Sequence, residues 1–544
     1  MNSHTSVLRD FTVDRRVWLL SSVALVIGGG AAGLAVLLLR CIALATNLFY
    51  YHRFSFVGVS PAGSTLGVWM PFVPVVGGLI VGVMARYGSD KIRGHGIPEA
   101  IEAIMLRGAR VEPSIAILKP ISAAISIGSG GPFGAEGPII MTGGAFGSLV
   151  AQWLKLSDAE RTTLLVAGAA AGMSATFATP IAATLLAVEL LLFEWRPRSL
   201  IPVAFASAMA AVLRIYWLGA GPLFRVPFNS MQHAGLTVLA ALGLGLVVGL
   251  ASAGLSRIMY GFEDLFGHLP LHWMWWPAIG GIGIGIGGLF FPRGLGVGYD
   301  NIAELLRGNA PLNLILGVLI AKSLMWAFSL GSGTSGGVLA PLLMIGGALG
   351  ELAAHIAHAS VQAQSLWALV GMGAMLSGAL GVPLTAILFS LELTQCFPAL
   401  MPLMVACIAA YLVTSLIMPR SILTEKLSRR GYHLTREYGV DPLETVSVAE
   451  VMTEVMTEVM VEAMAGPPAQ HHALQPLPAV YAFADETCRD VAETMATSGV
   501  DTMPVLDRET KAVCGSVSLQ DLLLGRRRAV QREQDRLRVF TSFR

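Results

Sequence analysis

The chain has 544 residues, of which 54% are hydrophobic and 13% charged, and its formal net charge is +1. Soluble proteins carry roughly 25% charged residues, so this chain cannot cover a water-facing globule, and most of it must lie in lipid or inside protein. The small net charge argues against a nucleic-acid-binding surface. The five cysteines form no CxxC pair, so neither a disulfide framework nor a metal site is expected.

The chain up to residue 432 consists mainly of apolar segments. A short polar lead, 1–16, ends in Arg15 and Arg16, and we expect it on the cytoplasmic side of the first transmembrane helix. Several later segments are too short, or too often interrupted by Gly and Pro, to cross about 30 Å of hydrocarbon alone. Such breaks are tolerated at membrane depth only where protein buries them or where they line a cavity, so they indicate a transport path or close helix packing. The segments lie at roughly 17–50, 69–86, 115–130, 138–154, 162–193, 200–218, 234–262, 274–291, 311–330, 337–358, 366–395 and 398–418.

An internal repeat relates the two halves of this region. Residues 128–149 (GSGGPFGAEGPIIMTGGAFGSL) align without gaps with residues 331–352 (GSGTSGGVLAPLLMIGGALGEL). The offset from Pro138 to Pro341 is 341 − 138 = 203, and the same offset carries Glu189 onto Glu392. This register indicates a duplication. The two repeats cover about 17–220 and 234–432.

Segments interrupted by Gly and Pro at matching positions of two repeats are typical of a transporter binding site. A helix that begins inside the membrane presents unpaired N–H groups and the positive end of its dipole, which together bind an anion. GAEGP at 134–138 and GGVLAP at 336–341 both have the pattern of such a helix start. The alternative is that these glycines only pack helices together. Two copies in register favour the anion site.

At these residues the chain resembles the CLC family of chloride channels and chloride/proton antiporters, over roughly 15–432. The three anion-site signatures of the family occur in order, as GHGIP at 94–98 followed by GAEGP and GGVLAP, and 421–431 resembles the final helix. The resemblance implies two inverted-topology repeats with broken helices, a homodimer with one path per subunit, and cytoplasmic termini. It also implies that the anion binds at Gly94, His95, Gly96, Ile97, Pro98, Gly134, Ala135, Gly137, Val338, Leu339 and Leu423.

Glu136 is the residue that we expect to gate the path. A carboxylate at an apolar helix start inside a membrane is costly and by default indicates a functional site. When ionised it can occupy an anion position, and when protonated it would swing away and admit chloride. The alternative is a carboxylate that caps its own helix. The second repeat has Leu339 at the equivalent position, so one repeat alone carries the gate.

Three positions depart from the pattern of the family. His95 replaces the usual serine between the two glycines, and it either donates an N–H to the anion or turns away from the path. Leu423 replaces the inner-gate tyrosine, so its hydroxyl is lost unless Ser421 substitutes. Leu190 stands where antiporters commonly carry a second glutamate that relays protons, whereas the neighbouring Glu189 recurs in the repeat and is interpreted as structural.

Lys119 lies in an apolar stretch and resembles a buried lysine that makes the anion path of the family positive. A lysine that snorkels to the membrane interface would produce the same pattern. Both alternatives stay open.

The last part of the chain, 433–544, is polar and is expected to form a cytoplasmic regulatory segment with a linker at 466–478. Its residues at about 480–526 predict helix, strand, strand, helix and resemble a CBS motif. Ser518 and Asp521 fit the S/T-x-x-D pattern that holds an adenine nucleotide in some CBS units, although a helix N-cap at Ser518 is the simpler interpretation. No other cofactor is expected.

We therefore expect an all-α polytopic membrane protein with a small α/β appendage. Its predicted function is the passage of chloride or a similar small anion through a glutamate-gated, channel-like path, and the alternative is a chloride/proton antiporter that lacks the usual internal glutamate. An enzyme is not expected, because no nucleophile–base or metal spacing occurs at membrane depth. The expected partners are the anion, protons in the antiporter alternative, the lipid bilayer and a second copy of the chain. The expected location is the bacterial inner membrane.

Overall fold

The computed structural model describes residues 15–228, 234–431, 446–454 and 480–538, together with 441 and 443. The predicted linker at 466–478 and residues 1–14 of the polar lead lie outside the described residues. The chain divides into two compact units, Met1–Leu434 and Thr435–Arg544.

The first unit is helical. Within its described part, nine helices are long and apolar enough to cross a membrane, and three shorter apolar helices accompany them. The predicted polytopic all-α architecture is thereby confirmed. The helices of the first repeat are α1 (Arg16–Tyr51), α2 (Phe72–Tyr87), α3 (Ile97–Leu106), α4 (Pro113–Gly128), α5 (Glu136–Trp153), α6 (Asp158–Phe177), α7 (Pro180–Leu186) and α8 (Pro197–Leu218).

The helices of the second repeat follow the same order. A π-helical turn at Gly317–Lys322 joins two short helices into one span, and another, at Ala187–Leu192, extends α7 in the first repeat. The helices are α9 (Ala234–Gly267), α10 (Trp276–Phe290), α11 (Tyr299–Arg307), α12 (Leu312–Leu316), α13 (Ser323–Gly331), α14 (Leu339–Ile356), α15 (Val361–Leu380), α16 (Pro383–Thr394), α17 (Leu400–Ile417) and α18 (Glu425–Arg429).

Equivalent helices of the two repeats begin at the same offset that relates their sequences. Helices α5 and α14 begin 339 − 136 = 203 residues apart, and so do α6 and α15 (361 − 158 = 203). Helices α7 and α16 also start 203 residues apart (383 − 180), each with a proline in the first turn, where its missing N–H costs nothing. The duplication therefore extends from the sequence to the helix boundaries.

The second unit contains a small sheet. Its strands are β1 (Thr453–Glu454), β2 (Ala482–Phe483), β3 (Thr502–Leu506) and β4 (Val513–Ser518), in the order β1-β4-β3-β2. The pair β2–β3 is parallel, and the other two pairs are antiparallel. Helices α19 (Val448–Val451), α20 (Cys488–Ser498) and α21 (Leu519–Arg538) accompany the sheet.

The core of this unit combines the predicted motif with the segment that precedes it. Val491 and Met495 lie one turn apart on α20 and pack with buried residues of β3 and β4. The segment before α20 completes the sheet, since β1 pairs with β4 through Thr453 and Ser516. The predicted order of helix, strand, strand and helix within 480–526 is confirmed.

Candidate functional site

The starts of α5 and α14 meet at a direct contact between the two repeats. The amide of Gly134 donates to the carbonyl of Gly337 at 3.2 Å, and the amide of Gly337 donates to the carbonyl of Gly134 at 2.8 Å. These two glycines are themselves related by the repeat (337 − 134 = 203). Reciprocal bonds between equivalent residues place a local pseudo-two-fold axis here, and the unpaired N–H groups of both helix starts converge beside it.

Glu136 is the first residue of α5 and is completely buried at this contact. Its carboxylate lies against Gly134 and Gly337, because a Cβ on Gly134 would overlap it and a Cβ on Gly337 would lie 2.7 Å from Oε2. The backbone amides of Glu136 and Ala340 face the carboxylate, but no donor in the described residues reaches hydrogen-bonding geometry with either oxygen. The side chain occupies space where two helix starts would attract an anion.

The GHGIP loop packs against one end of the contact between the two helix starts. The amide of Gly94 donates to the carbonyl of Gly333 at 3.3 Å, and α3 starts at Ile97. Gly96 has a φ of +89°, and a Cβ on it would lie 2.8 Å from the carbonyl oxygen of Gly137. Only glycine allows both this backbone conformation and this close approach. The fold therefore brings together the predicted anion-binding residues of GHGIP, GAEGP and GGVLAP, namely Gly94, His95, Gly96, Ile97, Pro98, Gly134, Ala135, Gly137, Val338 and Leu339.

His95 lies between this contact and a cavity of about 220 Å³, here called the His95 cavity. The residue is 3% exposed and its Nδ1 has no hydrogen-bond partner among the described residues. Four basic and two acidic residues line the His95 cavity, but three of the basic residues pair with carboxylates of residues outside the lining. The charged residues are Arg93, Lys426, Arg429, Arg430, Asp90 and Glu263.

Leu423 is fully buried, and it does not belong to the residues that line the His95 cavity. A tyrosine from elsewhere in the chain, Tyr260 of α9, lines this cavity. Its hydroxyl donates to the carbonyl of Ile422, the residue before Leu423, at 2.5 Å. The sequence gives no local signal for this phenol, because it lies more than 160 residues from the segment that it contacts.

Two buried lysines hold the glycine loops at the two ends of the site. Lys119 donates to the carbonyls of Ile92 and Gly94, both at 2.8 Å, and it is fully buried. Of the two alternatives, the buried lysine is therefore correct, and a lysine that snorkels to the interface is excluded. Lys322 makes the matching contacts in the second repeat, donating to Gly294 at 3.1 Å and to Gly296 at 3.0 Å.

The sequence interpretation missed Lys322, although the repeat offset points to it (322 − 119 = 203). It also missed the loop that Lys322 holds, since Gly296 and Gly298 match the two glycines of GHGIP at an offset of 202. This loop lines a second cavity of about 580 Å³, here called the Tyr299 cavity. The site thus has a cavity beside the glycine loop of each repeat.

Leu190 is fully buried and apolar, and its neighbour Glu189 has a structural partner. The carboxylate of Glu189 accepts the amides of Leu384 at 3.3 Å and Thr385 at 2.8 Å, which are at the start of α16. Glu392 does the same for α7, because its carboxylate accepts the amides of Ile181 at 3.1 Å and Ala182 at 2.8 Å. Each repeat therefore caps a helix of the other.

Ser518 and Asp521 contact each other at the start of α21. The Ser518 hydroxyl donates to Oδ2 of Asp521 at 2.6 Å, and the Asp521 amide donates back to the hydroxyl at 3.3 Å. These are the contacts of a helix N-cap. Binding of an adenine nucleotide here stays a prediction.

The sequence profile of the voltage gated chloride channel family matches residues 77–415, and a CBS domain matches residues 474–526. The H+/Cl− exchange transporter ClcA of Citrobacter koseri is 30% identical over 395 residues, which are 68% of this chain and 81% of that protein. The chloride channel protein CLC-f of Arabidopsis thaliana is 32% identical over 366 residues, covering 61% of this chain and 45% of the plant protein. The crystal structure of a slow cyanobacterial Cl−/H+ antiporter superposes with a TM-score of 0.66 at 22% identity, over 77% of this chain and 99% of that one.

Proposed function

The chain belongs to the CLC family, the voltage gated chloride channel family, and on this premise we propose that it conducts chloride or a similar small anion along a path that Glu136 closes. The observation that carries the proposal is the buried, unpartnered carboxylate of Glu136 between the starts of α5 and α14. An unpaired charge at this depth is expensive. Such a cost is understandable if the carboxylate takes the place of the transported anion.

Gating follows from the charge of Glu136. When ionised, the carboxylate is attracted by the helix amides that face it and leaves no room for an anion. When protonated, it loses most of this attraction, the neutral side chain rotates away, and an anion takes its place between the helix starts. Anion flux is therefore expected to rise as the pH falls.

Two features beside the gate support passage of an anion. The His95 cavity lies beside the GHGIP loop and is lined largely by charged and polar groups, so an anion can enter it without contacting a wholly apolar wall. The imidazole of His95 has an unpartnered Nδ1, and an imidazole N–H can donate to an anion. Which small anion passes most readily would then depend on His95.

We favour a channel-like mechanism because Leu190 is apolar and buried where an antiporter commonly has a proton-carrying glutamate. An alkyl side chain cannot relay a proton. Glu189 next to it is occupied in capping α16. The alternative is a chloride/proton antiporter, and the name of the Citrobacter koseri relative favours it.

Reconstituted liposomes under opposed chloride and pH gradients test the proposal. A channel gives a reversal potential that follows the chloride gradient and ignores the pH gradient. In Glu136→Gln the uncharged side chain should leave the path open, so flux should no longer depend on pH. Glu112→Gln removes an exposed carboxylate that pairs with Lys91 and serves as the control.

Two other outcomes would change the conclusion. A reversal potential that moves with the pH gradient, with proton uptake lost in Glu136→Gln, would establish the antiporter. Glu136→Gln with the full pH dependence of the native chain would contradict the role of Glu136 as the gate.

We further propose that two copies of the chain form a homodimer with one path in each, and that an adenine nucleotide binds near Ser518 and Asp521 and regulates the flux. The support for the second point is the CBS domain match and the S/T-x-x-D pattern.

A further inference from the structure

Tyr299 carries a second buried polar group without a partner. Its hydroxyl, like both oxygens of Glu136, lacks any hydrogen-bond partner among the described residues. The two side chains are close enough to interact electrostatically. A buried tyrosine hydroxyl usually finds a partner, and leaving one unpaired costs free energy. The arrangement indicates a partner that is reached in another state of the protein.

The repeat places Tyr299 at one end of the path. Tyr299 is the first residue of α11 directly after Gly298, as Ile97 is the first residue of α3 directly after Gly96 (299 − 97 = 202). Pseudo-symmetry about the contact of Gly134 with Gly337 then sets Tyr299 opposite Ile97, across the gate. Tyr299 lines the Tyr299 cavity, whereas Glu136 does not. Tyr299 therefore forms part of the wall between this cavity and the gate.

Tyr299 is held in this wall from two sides. Its ring packs edge to face against Phe177 and Phe224, with ring centroids 6.4 and 6.2 Å away. Lys322 donates to the carbonyls of Gly294, Gly296 and Val297 in the loop just before it. An ammonium group has three donors, so Lys322 has used all of them and has none left for Glu136. The hydroxyl of Tyr299 remains available.

We propose that the Tyr299 hydroxyl is the hydrogen-bond partner of the Glu136 carboxyl when that side chain leaves the anion position. The proposal rests on the proposed function of Glu136 as a gate. In the closed state the carboxylate lies between Gly134 and Gly337, and the Tyr299 hydroxyl has no hydrogen-bond partner among the described residues. In the open state the protonated carboxyl turns toward the Tyr299 cavity and bonds to the hydroxyl, which frees the space between the helix starts. Tyr299 is thus a positioning residue that stabilises the open gate.

The pH profile of anion flux in liposomes tests this role. Tyr299→Phe removes only the hydroxyl and keeps the ring between its aromatic neighbours. Loss of one hydrogen bond to the protonated, open state should move the midpoint of activation to lower pH by about half a unit or more, and reduce flux at the native midpoint by about twofold or more. Tyr50→Phe is the matched control, because Tyr50 is also a buried tyrosine and its hydroxyl already has a partner, the carbonyl of Ser129 at 3.0 Å. Its midpoint should stay at the native value.

The same substitution in a chain without the gating carboxylate separates positioning from packing. In Glu136→Ala, the further change Tyr299→Phe should have no effect on flux at any pH. A Tyr299→Phe profile that overlays the native one, or an effect of the same size in the Glu136→Ala background, would overturn the inference while leaving the gate intact. If Glu136→Ala itself keeps the native pH dependence, the proposed gate fails, and the role of Tyr299 fails with it.

Discussion

Lys119 and Lys322 each balance a buried positive charge with backbone carbonyls instead of a carboxylate. Their hydrogen bonds fix the glycine loops at both ends of the site. A lysine paired with a carboxylate would be neutral as a pair and would not favour an anion. This choice of partner is consistent with an anion path.

Lys322→Met is expected to destabilise the protein strongly. Methionine keeps the length of the side chain but removes the donors for Gly294, Gly296 and Val297, and each buried carbonyl left unpaired costs about 1–3 kcal/mol. The thermal unfolding midpoint in detergent should fall by several degrees. Lys155→Met, at an exposed lysine, should change it little. Equal midpoints for the two variants would contradict this account.

Single residues show what the sequence can and cannot predict. The position of Glu136 at a helix start followed from its glycines and proline, because these restrict the backbone locally. The burial of Lys119 could not be decided, since the choice between burial and snorkelling depends on carbonyls of Ile92 and Gly94 more than twenty residues away. Tyr299 gave no signal by itself, and only its place relative to Ile97 in the repeat identifies it.

At the scale of helices, the two repeats exchange helix caps: Glu189 of the first repeat caps a helix of the second, and Glu392 of the second repeat caps a helix of the first. Each carboxylate accepts two amides at the start of a helix in the other half, α16 and α7 respectively. Neither helix start has a capping side chain at its own N-cap. Four otherwise unpaired N–H groups thus depend on two side chains from the opposite repeat.

Glu189→Gln and Glu392→Gln are expected to lower stability by similar amounts, about 1 kcal/mol each, because an amide has one oxygen to accept two donors. The measurement is the thermal unfolding midpoint of each single variant and of the pair in detergent. The double variant should lose about the sum of the two single losses, since the two carboxylates share no hydrogen-bond donor. A loss confined to one of the two variants would contradict the equivalence of the caps.

Helix boundaries were harder to predict than helix existence. The apolar run at 162–193 contains the end of α6 at Phe177 and the start of α7 at Pro180. The second run at 366–395 is divided in the same way. Hydropathy cannot detect these breaks, because the residues on both sides are apolar. The prolines were the available signal, since a proline disfavours a helical conformation in the residue before it.

For the whole molecule, the residues of the proposed path all belong to the first unit, Met1–Leu434. A chain that ends at residue 434 is therefore expected to conduct anions, and any effect of adenine nucleotides on flux should be absent. Flux assays in liposomes with and without nucleotide, on the full and the shortened chain, would check both points. A shortened chain that inserts normally but conducts nothing would contradict the assignment of the path to one unit.

The architecture of the whole molecule was largely predictable, because hydropathy and an ungapped repeat are both long-range patterns in one sequence. The contacts between the repeats were not. The reciprocal bonds of Gly134 and Gly337 depend on which faces of two distant segments meet, and the pattern within each segment does not specify this.

The exchange of helix caps has a consequence for biosynthesis. The amide of Ile181 receives its cap from a residue 211 positions later in the chain. At roughly 5–20 residues per second, a ribosome needs about 10–40 s to reach that residue. During this interval the newly made first half lies in the membrane with the start of α7 uncapped. We expect the chain to be most susceptible to quality-control proteases at this stage. Separately expressed halves would be expected to survive in the cell only when both are produced together.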